Sequence, residues 1–282
     1  MLRPYCKHIH LSGSLCAPPF MPGYLTKQES IRIDGAQALH IRSLLDRQQY
    51  ADPDGEALKL GISDAIWPLF GLLWPSGEQL AQCMAERPAV NGERILELGC
   101  GLGLTSLLCH RRGDDITASD CHPLAATFLR ENLRLNDLPP MKFRIGHWGA
   151  LHDADTPYER MDSADRDRYD VAHGEQALPE HFQSCTSERS ERWAVDGRFS
   201  LIVGSDLLYE RDANATLPLY IDAHCTPDAQ IWVVDPDRGN RSAFSRQMAN
   251  LGFSVEEARL DRAESDTHTS YKGRILKYQR KG

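Results

Sequence analysis

The sequence predicts an α/β fold built on a mainly parallel sheet of seven strands. Short apolar runs alternate with amphipathic helical segments from about residue 62 to 148, and the same alternation returns from 199 to 251. Alternating strands and helices are typical of βαβ units, in which the strands run parallel. Two further strand-like segments close the chain with no helical pattern between them, so we expect them to pair as an antiparallel hairpin.

The elements follow in order along the chain. Residues 1–60 are an N-terminal extension, in which 30–45 is expected to be a strand running into a helix and 52–55 a turn. Residues 61–282 form the main domain, in which short apolar runs alternate with amphipathic helical segments. The predicted strands are 94–98, 115–119, 141–145, 199–203, 230–234, 253–259 and 271–278, and the predicted helices are 77–86, 104–111, 123–136, 213–224 and 241–251.

Composition and charge narrow the class of protein. The chain has 282 residues, of which 41% are apolar and 26% charged, and its net charge is −8. These values are typical of globular proteins, and the length is sufficient for a buried core without disulfides. The excess of acid argues against a protein that neutralises many nucleic-acid phosphates. No apolar run reaches the roughly 18 residues of a membrane helix. We therefore expect neither nucleic acid nor a membrane as partner, and the oligomeric state stays open.

The N-terminal residues and the cysteines favour a cytoplasmic protein. Charged residues interrupt the first apolar run, which is unlike the core of a signal peptide. The eight cysteines include no Cys-x-x-Cys pair and are typical of reduced thiols that serve as small apolar residues.

Four N-terminal side chains could bind zinc, since Cys6, His8, His10 and Cys16 lie within 11 residues. Their spacing matches no common zinc finger. His8 and His10 alternate with apolar residues, as on the polar side of a strand. We therefore predict no metal site.

Residues 151–197 interrupt the alternation of strands and helices. They contain 12 Asp or Glu and 5 Arg, a net charge of −7, so nearly all of the excess acid lies here. A solvated excursion between two strands explains such a segment. The alternative is an acidic lid or a docking surface for a basic partner.

The strongest local signal is the run Glu97-Leu98-Gly99-Cys100-Gly101-Leu102-Gly103, which follows a predicted strand and opens a predicted helix. Such a turn lets the backbone approach a ligand closely, and the helix offers its N-terminal amides. Asp120 closes the next strand, where a carboxylate can accept both hydroxyls of a ribose. These residues indicate a nucleoside cofactor, and a tight turn without a ligand is the alternative. The pattern Gly-x-Gly-x-x-Gly lacks its last glycine, so NAD(P) is the weaker candidate.

These motifs resemble those of the seven-β-strand methyltransferases, which use S-adenosylmethionine (SAM) on a Rossmann-like sheet with helices on both faces. Three further pieces are similar to their protein-lysine methyltransferase branch, whose members modify chaperones, calmodulin, elongation factors and the electron transfer flavoprotein. They are Leu73-Trp74-Pro75-Ser76-Gly77, His147-Trp148-Gly149 and the Asp-x-x-Tyr run Ser205-Asp206-Leu207-Leu208-Tyr209. The resemblance covers residues 62–282 apart from the insertion, and it implies transfer of a methyl group to a lysine nitrogen of a protein substrate.

The resemblance also implies roles for individual residues. Asp120 would hold the ribose of SAM, Trp148 would flank the adenine, and Trp74 would help close the methionine end. Both tryptophans are also apolar enough to be core residues, and Glu97 could merely satisfy turn amides. The full implied set of cofactor-binding residues is Trp74, Glu97, Gly99, Gly101, Gly103, Asp120, Trp148 and Ser205.

Asp206 and Tyr209 are the candidate catalytic residues. They follow the predicted strand 199–203, at the edge where open α/β sheets bind ligands, and a helical turn would place both on one face. Asp206 would accept hydrogen bonds from the incoming amine, while Tyr209 packs against it and narrows the entrance. The alternative is a capping Asp and a half-buried Tyr. Residues 235–238 lie on the same edge and either shape the acceptor site or form a capping turn.

The favoured function is therefore a cytoplasmic SAM-dependent N-methyltransferase acting on protein lysine. A small-molecule amine or a histidine side chain is the rival acceptor. A non-catalytic SAM-binding interaction module, in which the acidic insertion contacts the partner, is the rival of another class. An NAD(P) oxidoreductase is the third alternative.

Overall fold

A computed structural model describes residues 23–146, 148, 194–265 and 270–280 of the chain. The strands are β1 (Thr26–Ile31), β2 (Leu39–Leu44), β3 (Arg94–Leu98), β4 (Asp115–Asp120), β5 (Lys142–Ile145), β6 (Phe199–Ser205), β7 (Cys225–Asp235), β8 (Phe253–Arg259) and β9 (Arg274–Arg280). The helices are α1 (Glu56–Lys59), α2 (Pro75–Glu86), α3 (Leu104–Arg112), α4 (Ala125–Leu135), α5 (Thr216–His224) and α6 (Arg241–Asn250), with a 3-10 helix at Trp67–Gly71.

Seven strands form one sheet in the order β5-β4-β3-β6-β7-β9-β8. β3 is parallel to β4 and β6, and the pairs β4-β5 and β6-β7 are parallel as well. β9 is antiparallel to both β7 and β8. This confirms the predicted fold class, a mainly parallel seven-stranded sheet with a C-terminal antiparallel hairpin. The chain runs outward from β3 to β5 and then crosses back to β6, so the strand order reverses between β3 and β6, where open α/β sheets bind ligands.

Helices cover both faces of the sheet because the central strands are apolar on both sides. On β3, Ile95 packs into the cluster that contains apolar residues of α2, α3 and α4. Leu96 and Leu98 point the other way, into the cluster with residues of α5 and α6. Each such buried side chain stabilises the fold by roughly 1.5 to 3 kcal/mol. The alternation also sends Glu97 to the same face as Ile95, toward α3.

The N-terminal segment differs from the prediction. Residues 30–45 contain the end of β1 and all of β2, which pair as an antiparallel hairpin, so the predicted helix was wrong. Leu39 and Ile41 are fully buried on one face of β2, and this period of two belongs to a strand. The hairpin is fastened to α4, because the Arg42 amide donates to Asn132 Oδ1 over 2.7 Å. The boundary between an extension and a main domain at residue 60 stays a prediction.

Several helices and strands begin at residues other than the predicted ones. Helix α5 begins at Thr216, since both carboxylate oxygens of Asp212 accept first-turn amides at 2.9 Å. Strand β7 begins at Cys225, five residues before the predicted start at 230. The last strand begins at Arg274 because Tyr271 forms an isolated bridge with Arg262 instead. The predicted turn at 52–55 is confirmed by a 3.1 Å hydrogen bond across it.

Three predictions concern residues outside the described ranges. They are the Cys6 to Cys16 group, the residues His147 and Gly149 that flank Trp148, and nearly all of the acidic insertion at 151–197. Over the ranges that are described, no helix combines the length and apolar character needed to cross a membrane.

Candidate functional site

A cavity of about 440 Å³ opens at the carboxyl ends of β3, β4 and β6, where the strand order reverses. This volume is in the range of about 300 to 1,000 Å³ that is usual for small-molecule sites. Of the residues predicted to bind the cofactor or to act in catalysis, nine line the cavity: Trp74, Glu97, Gly99, Gly101, Asp120, Trp148, Ser205, Asp206 and Tyr209. Gly103 lies at the start of α3, outside the lining.

The glycine run forms a tight loop between β3 and α3. Gly101 has φ +51, and a Cβ on it would lie 2.7 Å from the carbonyl oxygen of Phe70. Gly103 has φ +76, and a Cβ there would overlap the side chain of Leu129 on α4. Gly101 therefore lets the wall of the cavity approach the loop, whereas Gly103 lets α3 pack on α4.

Asp120 ends β4 with its carboxylate in the cavity wall. Its Oδ2 accepts a hydrogen bond from the Gly101 amide, and its Oδ1 accepts one from the His122 amide, each at 2.8 Å. Burial raises the pKa of Asp120, while these backbone amides favour its charged form. The carboxylate is thus held in place by two neighbouring loops and still lines the cavity.

Glu97 is buried between β3 and α3. Its carboxylate accepts hydrogen bonds from the Ser106 hydroxyl and, at 2.9 Å, from the Ser106 amide in the first turn of α3. Burial raises the pKa of Glu97 to about 7. The alternative role weighed above, satisfying amides at the turn, is therefore present, although Glu97 also lines the cavity.

The two tryptophans stand at different walls of the cavity. Trp74 precedes α2, its indole Nε1 donates to the Leu69 carbonyl at 2.8 Å, and the guanidinium of Arg47 lies 4.9 Å above its ring. Trp148 lies beside the glycine loop near Gly99. Its Nε1 is buried and has no hydrogen-bond partner among the described residues.

His122 also lines the cavity and was not among the predicted site residues. Its ring stacks on Phe70 with 3.6 Å between centroids, and burial lowers its pKa to about 3, so the imidazole is neutral. Nδ1 accepts the Leu124 amide at 3.2 Å, which places the proton on Nε2. Nε2 is buried without a partner in the described part of the chain. A polar residue two positions after the strand-ending Asp120 was the available signal.

An apolar wall was also missed. The segment between α1 and α2 folds over the cavity, and the 3-10 helix inside it brings Phe70 against the glycine loop. The signal was the apolar run of residues 65–74, whose contribution to a site could not be assigned without a partner surface. The wall residues are Leu60, Ile62, Ile66, Leu69, Phe70, Leu72 and Leu73.

Asp206 lies directly after β6 in a left-handed backbone conformation, with φ +56. Its amide donates to the Val234 carbonyl at 3.0 Å, which ties the end of β6 to β7. A turn follows β6 instead of the helical turn considered above. Tyr209, at the end of that turn, is about half exposed on the rim of the cavity.

The two oxygens of Asp206 have different surroundings. Oδ1 lies 2.9 Å from Nη1 of Arg238, whereas Oδ2 is buried without a partner among the described residues. Burial raises the pKa of Asp206, and the guanidinium of Arg238 and the hydroxyl of Ser76 act in the opposite direction. Oδ2 is shielded from solvent and lacks a donor among the described residues, so a hydrogen-bond donor bound next to it would complete its hydrogen bonding.

The segment 235–238 fulfils both roles that the sequence left open. Asp235 Oδ1 accepts the Arg238 amide at 2.9 Å, which makes a capping turn before α6. The Arg238 side chain also lines the cavity and pairs with Asp206. This pairing was missed, because only the fold brings the ends of β6 and β7 together.

Comparisons with known proteins give partial matches. No protein-family model matches the chain. It is 34% identical over 76 residues to the electron transfer flavoprotein beta subunit lysine methyltransferase of Danio rerio, which is 26% of this chain and 30% of that protein. The Mus musculus protein of the same name is 29% identical over 129 residues, 44% of this chain and 49% of its own. Protein N-terminal and lysine N-methyltransferase EFM7 of Yarrowia lipolytica is 34% identical over 67 residues, 23% of this chain and 24% of its own.

Solved structures that partly resemble this chain include the ribosomal protein L11 methylase of Lactobacillus delbrueckii, with a TM-score of 0.46 and 19% identity over 75% of this chain and 81% of that one. Another is the magnesium protoporphyrin IX methyltransferase of Synechocystis PCC 6803, with a TM-score of 0.46 and 12% identity over 73% and 78%. The match spans less than half the length of each of the three curated relatives. Within that span, the identity to lysine methyltransferases and the seven-stranded sheet confirm the resemblance of this chain to the seven-β-strand methyltransferases.

Proposed function

We propose that this protein is a SAM-dependent N-methyltransferase whose acceptor is a lysine side chain of a protein. One observation carries the proposal: Asp120, whose carboxylate could accept ribose hydroxyls, and Asp206, with one oxygen unpartnered among the described residues, line the same cavity. A nucleoside-sized cofactor and an amine can therefore meet inside one cavity. The names of the curated relatives support lysine as the acceptor.

The residues in the cavity fit SAM. The Asp120 carboxylate can accept the ribose hydroxyls, as in other nucleoside sites at the end of the second strand. Two buried ring nitrogens, Nε1 of Trp148 and Nε2 of His122, have no partner among the described residues and can donate to a polar ligand. The apolar wall around Phe70 would cover the ligand on the other side. When bound, SAM would supply a methyl group on a positively charged sulfonium.

The remaining chemistry asks for alignment and a neutral amine. A lysine with a pKa of about 10.4 costs roughly 4.6 kcal/mol to deprotonate at pH 7. Apolar walls lower this cost, because burial disfavours the charged ammonium. Asp206 Oδ2 would accept a hydrogen bond from the amine and orient its lone pair. Tyr209, on the rim, would narrow the entrance and exclude water. No dedicated general base is needed for this scheme.

We also propose that the protein works in a reducing compartment, the cytoplasm. The described cysteines are free thiols: Cys83, Cys100, Cys109, Cys121 and Cys225. Burial raises the pKa of the Cys100 thiol well above its usual value, which keeps that thiol in its protonated, unreactive form.

The experiment that tests the function incubates the purified protein with radiolabelled SAM and two acceptor preparations, a cell lysate and a recombinant electron transfer flavoprotein beta subunit. The lysate can reveal an acceptor of any identity. The purified subunit is included because the curated relatives are named as its lysine methyltransferases. Mass spectrometry of labelled bands then identifies the methylated residue. We expect label on lysine, and the Asp206→Asn variant serves as the impaired control.

Other outcomes separate the alternatives. Label on histidine or on a small amine would replace lysine as the acceptor. SAM binding by calorimetry without transfer to any acceptor would support the non-catalytic module. Thermal stabilisation by NAD(P) and not by SAM would contradict the proposal altogether.

A further inference from the structure

Arg238 places a positive charge in the cavity wall, next to the candidate catalytic carboxylate of Asp206. Its side chain is about one-third exposed and lines the cavity, and Nη1 of its guanidinium lies 2.9 Å from Asp206 Oδ1. Its own amide is fixed by Asp235 Oδ1 at 2.9 Å, so the start of the side chain is anchored at the end of β7. An amine acceptor that approaches Asp206 Oδ2 would therefore meet a carboxylate whose charge is already balanced.

The two acidic residues nearest to Arg238 in the sequence, Asp237 and Asp235, differ in the groups that they bind. Asp237, the adjacent residue, is paired with three other cations, Arg274 at 2.8 Å, Arg259 at 3.2 Å and Arg241 at 3.8 Å. Asp235 binds the backbone amide of Arg238, and its Oδ2 is buried without a partner among the described residues.

Other groups from the elements around the pair complete its electrostatic surroundings. Tyr271, which precedes β9, interacts electrostatically with Asp206 and is hydrogen-bonded to Ser76 of α2 at 3.1 Å. Tyr209 and Glu210 come from the turn after β6 and also line the cavity. Arg238 is the cation that pairs directly with Asp206, and its charge favours the ionised form of that carboxylate.

We propose that Arg238 is a positioning residue for the acceptor: its guanidinium holds Asp206 by one oxygen, and its positive charge makes the site receive the incoming amine in the neutral form. This inference rests on the proposed function. The carboxylate alone would stabilise an ammonium, which has no lone pair and cannot accept a methyl group. The adjacent guanidinium repels that ammonium, so the acceptor would lose one proton to solvent water as it enters, and the neutral amine would donate a hydrogen bond to Oδ2.

The charges of Asp206 and Arg238 determine in which direction the pH profile of the reaction shifts. Asp206 raises the pKa of a bound amine, and Arg238 lowers it. The rate on the acidic side of the profile rises with the fraction of neutral amine in the complex. Loss of the Arg238 charge should therefore move the rising limb of kcat to higher pH by about one pH unit or more. The Arg238→Lys variant keeps the charge and should keep the limb close to its original position.

The first part of the test needs no substrate. The pKa of Asp206 is measured by carbon-13 NMR of labelled aspartate carboxyls, with the Asp206 signal assigned by its absence in the Asp206→Asn variant. The full chain is compared with its Arg238→Gln, Arg238→Lys and Arg259→Gln variants. Arg259 pairs with Asp237 instead of Asp206 and lies outside the cavity lining, so it is the matched control. We expect Arg238→Gln to raise the pKa of Asp206 by about one unit or more and the other two variants to leave it nearly unchanged.

The second part measures kcat against pH for the same variants at saturating SAM and acceptor. If the rising limb of kcat in Arg238→Gln stays at its original pH, the claim that Arg238 favours the neutral amine is wrong. An unchanged Asp206 pKa in that variant would overturn the positioning role, whatever the activity. If the Asp206 pKa shifts but the unmodified protein transfers no methyl group to any acceptor, the proposed function fails and the claim about the amine fails with it, while the measured coupling between Arg238 and Asp206 stands.

Discussion

The backbone amide of Gly101 donates a 2.8 Å hydrogen bond to Oδ2 of Asp120, so the glycine loop after β3 and the end of β4 share one carboxylate. The bond joins the two strongest sequence signals in a single structural unit. Asp120 also accepts the His122 amide, and through His122 the unit reaches the stacked ring of Phe70. Two hydrogen bonds and one ring stack therefore link the glycine loop, the end of β4 and the apolar wall of the cavity.

Replacement of Asp120 by alanine should weaken SAM binding at least tenfold. Hydrogen bonds to a charged acceptor are worth about 1.5 to 3 kcal/mol each, and two ribose hydroxyls would lose theirs. Calorimetry on folded protein measures the effect. Asp115→Ala is the matched control, since Asp115 is exposed at the opposite end of β4 and should leave the affinity unchanged. Equal affinities for Asp120→Ala and the original protein would argue against the nucleoside site.

Replacement of Gly101 by alanine should destabilise the fold and lower SAM affinity. A left-handed conformation costs a non-glycine residue about 1 to 2 kcal/mol, and the added Cβ would also lie 2.7 Å from the Phe70 carbonyl oxygen. Gly92→Ala is the control, because Gly92 has φ +76 with nothing within 4 Å of a Cβ. Chemical denaturation should therefore show a larger loss for Gly101→Ala. Equal losses of stability in the two variants would mean that the Phe70 backbone moves aside for the added Cβ at little cost.

The buried carboxyl of Glu97 should make stability fall as pH rises. Burial raises its pKa in the folded protein from the ordinary value of 4.5 to about 7. Below pH 4.5 both states are protonated, and between pH 4.5 and 7 the unfolded chain releases its proton first. The free energy of unfolding should drop by about 3 kcal/mol across that window.

The Glu97→Gln variant isolates this contribution. Glutamine cannot ionise but can still accept the Ser106 amide, so the difference between the two pH curves reports Glu97 alone. We expect the variant to gain stability relative to the original protein from pH 4.5 to 7, as measured by urea unfolding at each pH. Parallel curves would show that Glu97 titrates as in the unfolded chain.

Replacement of Tyr209 by alanine should lower turnover about tenfold or more while SAM affinity stays within about twofold. Tyr209 is 48% exposed on the cavity rim, so its loss should leave the fold intact. Tyr209→Phe keeps the ring and should retain most of the activity if packing is what matters. Kinetics with the identified acceptor and calorimetry with SAM measure the two quantities. A parallel fall in both would assign Tyr209 a structural role.

Much of the fold and part of the site could be predicted from the sequence, because their signals are local. The strands 94–98 and 253–259 have the predicted bounds, since short runs of apolar or alternating residues determine where a strand can be buried. The glycine run and Asp120 were recognisable for the same reason. A loop with positive φ needs glycine, and a strand end places a carboxylate at the sheet edge.

What the tertiary structure decided depends on contacts between residues far apart in sequence. Residues 30–45 had a pattern compatible with strand and helix, and packing of Leu39 and Ile41 in the core selected the strand. The same holds at the site, where the sheet order brings Arg238 to Asp206 and the 3-10 helix brings Phe70 to His122. The sequence by itself determined the sheet and the residues at its carboxyl edge. Only the folded chain decided which charge balances Asp206 and which wall covers the cavity, because periodicity describes a segment's own faces and not the partner that meets them.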